Sequence, residues 1–278
     1  MLYHDRLSYR KISLLYLLLV PVIVTVLAFV IGHVSYKIYI PSWLINASIM
    51  IVATQTIQGK LITDNHRATW FLIAPWALVS IFGGMGPPPE TPAAWAALAT
   101  EQVCRYSILI LSGISMAIGF IQLHKLLAQT RGKNYASYGK TMICIALPLF
   151  VLNMAYWGFF LTHVFVKYSE PGHPVKPGWI RSVGDVFTVV RMTEVTLIYL
   201  ATAAMSFALY LAKLLSKKST VSYITFACLG TVFNLLPASV GGPLAVAAYL
   251  SIIPAITLLM PYLLGVNLLY RQSFKKLG

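Results

Sequence analysis

The chain has 278 residues, 58% of them hydrophobic and only 10% charged, which excludes an ordinary soluble domain, where roughly a quarter of residues carry charge. A formal net charge of +14 would suit nucleic acid, but the basic residues sit in short connections between apolar blocks, where they set membrane topology, so no nucleic-acid partner is expected. Continuous apolar runs such as Leu14 to Val20 do not alternate, which excludes a transmembrane β-barrel.

A helix needs roughly 20 apolar residues to cross ~30 Å of hydrocarbon. On that measure the sequence predicts an all-α transmembrane bundle, a single integral membrane domain of about eight spans: 12–32, 41–59, 68–82, 102–123, 141–166, 186–211, 221–236 and 244–268. The first span follows Arg10-Lys11 and ends without a small-residue cleavage pattern, so it reads as uncleaved. The third is short and holds Pro75, and is expected to be tilted, broken or partly re-entrant.

The stretch Gly83-Gly84-Met85-Gly86-Pro87-Pro88-Pro89-Glu90 is expected to be non-helical, and Thr91-Pro92 reads as an N-cap and first helical position. A helix running unbroken from there to Leu123 would be about 48 Å long. The connection from Lys167 to Asp185, with Pro171, His173, Pro174 and Pro177, is long enough for a lid but reads as a surface loop. Ser239-Val240-Gly241-Gly242-Pro243 reads as a tight turn.

Basic residues alternate between the two sides. Arg6, Arg10 and Lys11, then Lys60 and Arg67, then Lys125, Arg131, Lys133 and Lys140, then Lys213, Lys217 and Lys218, then Arg271, Lys275 and Lys276 fall on one side. Lys37, Lys167, Lys176 and Arg181 fall on the other. The positive-inside rule then places both termini in the cytoplasm. Compact size and short loops suggest a bacterial inner membrane. Cys104, Cys144 and Cys228 lie inside spans without CxxC spacing and are expected to be buried apolar thiols.

An ionisable side chain at a helix centre costs at least about 2.5 kcal/mol in a membrane, so the few present mark where function is sought. Glu101 and Arg105 are four apart in the fourth span, and Arg191 and Glu194 are three apart in the sixth. Each couple shares a helix face and could form an intrahelical ion pair. The face of Glu101 continues through Arg105, Ile108, Ser112, Ser115, Gly119 and Gln122, a polar and small stripe suited either to close helix packing or to a cavity wall. The fifth span carries Asn153, Tyr156, Phe160 and His163 in one register, and the second carries Asn46, Gln55 and Gln58. The expectation is an outward-facing polar cavity with Glu101, Arg105, His163, Arg191 and Glu194 as ligand-binding residues.

No catalytic residue is assigned. His33, His163, His66 and His124 lie near span ends in the number two haems would need, but each position suits a histidine facing headgroups, and no cofactor or metal is expected. HExxH, GxSxG and phosphate-loop patterns are absent, and no span has a central lysine for a Schiff base. The leading expectation is transport or binding of a small solute or ion. The alternatives are a membrane-embedded enzyme acting on a lipid or lipid-soluble carrier, with Glu194 or His163 as acid or base, and a non-catalytic subunit of a membrane complex. The lipid bilayer is the one partner the sequence requires.

Overall fold

The computed structural model describes residues 2–58, 64–169, 178–237 and 240–274, and every regular element among them is helical. In chain order these are α1 (Leu2–Val26), α2 (Tyr36–Gln58), α3 (Asp64–Val79), α4 (Phe82–Met85), α5 (Pro92–Ala97), α6 (Ala99–Leu127), α7 (Lys133–Ala155), α8 (Thr162–Ser169), α9 (Trp179–Leu211), α10 (Lys217–Asn234), α11 (Pro243–Ser251) and α12 (Pro254–Phe274). π-helical turns extend α1 over Leu27–Ile31 and join α7 to α8 over Tyr156–Leu161.

Six stretches are long and apolar enough to cross a membrane: Ser8–Ile31, Tyr36–Gln58, His66–Met85, Ala99–Leu127, Lys133–Tyr168 and Trp179–Leu211. A seventh is the pair α11 and α12, bent by 69° at a short break. The chain is thus a helical membrane protein with six or seven candidate spans by length and composition. Most of the stretch expected at 221–236 is helical too, as far as Asn234, but α10 opens on Lys217-Lys218 and its polar start keeps it outside that set. The span expected at 244–268 is broken, because Pro254 supplies no donor to continue α11.

Other expectations change in detail. Gly83, Gly84 and Met85 belong to the short helix α4, whereas Gly86 to Glu90 are irregular. Close approach explains the glycines there. A Cβ on Gly84 would stand 2.2 Å from Tyr39 Cβ, so α4 can press on α2 only without one. Thr91 does cap a helix, its Oγ1 accepting from the Ala94 amide at 3.2 Å with Pro92 in the first turn, but that helix is the short α5. Leu98, at φ −110° and ψ 26°, separates it from α6. The three cysteines lie on the outer surface of the bundle, not in its core. In a membrane that surface faces lipid, which suits an apolar thiol as well as a protein interior does. Within the connection expected to be a surface loop, residues 170–177 lie outside the described residues, while Trp179 to Asp185 form the first turns of α9. Ser239, Lys60, Lys275 and Lys276 also lie outside them.

The core is built from α3, α6, α7 and α9, with α12 behind α3 and the peripheral pair α1 and α2 beyond it. Small residues set the spacing. Gly132 lies so close to the Ala208 carbonyl, and Gly139 to that of Ala201, that α7 and α9 meet nearly backbone to backbone.

Helix prolines provide a second kind of lock. A proline cannot donate to the carbonyl four residues earlier, and inside a membrane that carbonyl must find another donor. Pro75 frees the carbonyl of Phe71, and Ser115 Oγ of α6 donates to it at 3.0 Å. Pro21 frees that of Leu17, and the Tyr262 hydroxyl of α12 donates to it. The stripe Ser112, Ser115 and Gly119 is therefore the α3–α6 seam. Ser112 Oγ donates to the Ile108 carbonyl at 2.8 Å, and Gly119 admits Leu72. Asn46 accepts from Tyr16 at 2.6 Å, Gln58 accepts from Trp70 at 2.7 Å, and Gln55 is exposed on the outside of α2.

Candidate functional site

The five expected ligand-binding residues divide into two clusters and one outlier. At one end of α6, the Glu101 carboxylate meets the α1–α2 turn, with His33 Nε2 at 2.9 Å from Oε2 and the Tyr39 hydroxyl donating to Oε1 at 3.3 Å. Arg105 points away from it into α4. One guanidinium nitrogen donates to the Met85 carbonyl at 3.2 Å, the group stands 5.0 Å from the Phe82 ring centre, and Nε has no partner. The expected intrahelical ion pair is thus replaced by tertiary contacts. Helped by the Val34 amide, which donates to the Gly84 carbonyl at 2.9 Å, these residues tie α1, α2, α4 and α6 together.

The second cluster lies deeper. Gly158 faces Tyr106 and Gly113 faces Phe150, which fixes the antiparallel register of α6 and α7. Asn153 then lies level with Ile110, nine residues along α6 from Glu101, or about 14 Å. Glu194, 1% exposed, meets Asn153 across the α7–α9 seam, and Asn153 Nδ2 donates to Glu194 Oε1 at 2.8 Å. The remaining acceptors, Glu194 Oε2 and Asn153 Oδ1, are buried without a donor. Two orphaned acceptor oxygens on one hydrogen-bonded pair of side chains are unusual, because an unmade buried hydrogen bond costs about 1–3 kcal/mol.

Arg191 lies one turn of α9 away from Glu194 without a salt bridge to it, and its Nε also lacks a partner. It lines two cavities. The larger, about 590 Å³, lies between α9 and the π-helical turn, where Tyr156 stacks on Phe187 at 4.1 Å and Arg181, Asp185 and Thr188 contribute polar groups. The smaller, about 300 Å³, lies toward α10 and α11 and includes Asn234, whose Nδ2 donates to the Met192 carbonyl at 2.8 Å.

His163 joins neither cluster and is exposed on α8. The π-helical turn at Tyr156–Leu161 is the reason. Its wider bonding inserts an extra residue, so positions beyond it rotate by roughly 100° from the face that a continuous α-helix would present. Asn153 precedes the turn and keeps the expected face. Of the other histidines, His124 Nε2 lies 3.2 Å from Ser137 Oγ and His66 is buried. Among the described residues no group of three or more histidine, cysteine or acidic side chains is placed to hold a metal ion.

Sequence reading missed Arg181, Asp185 and, apart from Tyr156, the aromatic wall of the larger cavity. A signal was present, since Phe187 and Arg191 are four apart and share a face of α9. Comparison with protein-family models, curated proteins and solved structures finds no match to this chain.

Proposed function

We propose that the chain binds a small solute or ion at Asn153 and Glu194 and carries it across a cell membrane. In this reading α10 is an eighth span, and the basic end of the bundle and both termini face the cytoplasm. The observation that carries the proposal is the orphaned pair Glu194 Oε2 and Asn153 Oδ1 at mid-helix. Two acceptors without a donor, one of them on a carboxylate, form a site for a cation or a hydrogen-bond donor, and a ligand offsets the cost of burying them. Arg191, one turn of α9 from Glu194, lines both cavities nearby. The depth of Glu194 favours transport over chemistry on a lipid headgroup, which needs its acid or base near the membrane surface.

The test is uptake of protons, Na⁺, K⁺ and small ammonium ions into vesicles holding the purified chain under an imposed potential. Glu194→Gln should keep the fold and the bond to Asn153 yet reduce uptake at least tenfold. Equal uptake by the variant, or none by the natural chain, would overturn the proposal. A second reading comes from single cysteines at Ile198 and Ser112 in a chain lacking Cys104, Cys144 and Cys228. Both positions are fully enclosed, so labelling by a water-soluble thiol reagent reports an open state that admits water.

A further inference from the structure

A cavity of about 620 Å³ lies between α10 and the bent pair α11 and α12 and contains neither Asn153 nor Glu194 in its walls. Its walls are apolar along most of its length, with Phe226, Leu229 and Phe233 on α10 facing Leu259 and Leu263 on α12. Polar groups line one end, Ser219 and Ser222 on α10 and Asn267 on α12. Beyond that end stand the exposed Lys217 and Lys218 in the first turn of α10 and Arg271 in the last turn of α12. From Ser219 to Phe233 the α10 wall is about 21 Å long, against about 15 Å for one leaflet of hydrocarbon. The bend between α11 and α12 holds the far end apart, and the Tyr199 hydroxyl fixes it by donating to the Ser251 carbonyl at 3.0 Å.

We infer that this groove is a binding site for one anionic phospholipid, with an acyl chain along α10 and the phosphate at Lys217, Lys218 and Arg271. The charge distribution selects the occupant. An apolar trough longer than one leaflet's hydrocarbon accepts any acyl chain, but three cations at its polar end favour a negative headgroup over a zwitterionic one, with the Ser216-capped start of α10 adding its amide dipoles. The phosphate then lies at the basic end of the bundle, so the lipid comes from the leaflet on that side.

Native mass spectrometry of the full chain, released from nanodiscs of equal phosphatidylglycerol and phosphatidylcholine, tests this. The natural chain should retain one phosphatidylglycerol in preference. Lys217→Gln with Lys218→Gln should cut that preference by about fivefold per lysine without changing helix content, since both side chains are exposed. Ala247→Trp, which fills the groove wall, should remove the retained lipid whatever its headgroup. Equal retention of both lipids by the natural chain, a preference that survives loss of both lysines, or undiminished retention by a folded Ala247→Trp chain would each overturn the assignment.

Discussion

Removing the Tyr262 hydroxyl should destabilise the fold through a carbonyl 245 residues away in the chain. Tyr262 and Leu17 are both fully enclosed, and the hydroxyl donates to the carbonyl that Pro21 leaves without its helical partner. Tyr262→Phe keeps the ring, and with it the contact to Trp76 at 5.7 Å between centres, so the change isolates one hydrogen bond. Interhelical hydrogen bonds in membranes contribute about 0.6 kcal/mol on average and up to ~1.7. Here the abandoned acceptor has no water to turn to, which places the expected loss at the upper end, about 1.5 kcal/mol. Pro21→Ala restores a donor within α1, so in that background Tyr262→Phe should cost only a few tenths of a kcal/mol, a coupling of about 1 kcal/mol. Unfolding midpoints of the four chains in one detergent measure the cycle. Equal losses in both backgrounds would refute the idea that the tyrosine replaces the missing proline donor.

Asn153→Ala should lower stability by about 1–2 kcal/mol, because it strands Glu194 Oε1, and a double change of Asn153 and Glu194 to leucine should recover part of that loss in the same unfolding assay. Gly158→Ala sets a Cβ 2.3 Å from Tyr106 Cβ and should cost about 1–3 kcal/mol. Gly178→Ala meets nothing within 4 Å and should stay within about 0.5 kcal/mol, so comparable effects at the two positions would contradict the packing described. His33→Ala breaks a contact whose histidine is 41% exposed, so its cost should remain below about 1 kcal/mol and fade as salt is raised.

The candidate site shows where reading by register stops working. Asn153 and Glu194 were both visible as polar residues in apolar helices, and they meet. His163 continues the face of Asn153 only if the helix is uniform, and the π-helical turn between them breaks that continuity. Glu101 and Arg105 have ion-pair spacing, yet each takes a partner from another helix. Spacing of four brings two side chains near each other but does not stop a histidine from the α1–α2 turn or a carbonyl from α4 from competing.

Hydropathy and charge alone determined that the chain is a bundle of membrane-crossing helices, because a backbone in hydrocarbon must satisfy its own hydrogen bonds and helices do so within one segment. The positions of the prolines, glycines and buried ionisable groups were equally legible. What only the tertiary structure decided is the partner of each. The Leu17 and Phe71 carbonyls, the small faces of α7 and the lone oxygen of Glu194 are each incomplete within their own helix, and what completes them or leaves them open is set by the neighbour packed across the seam.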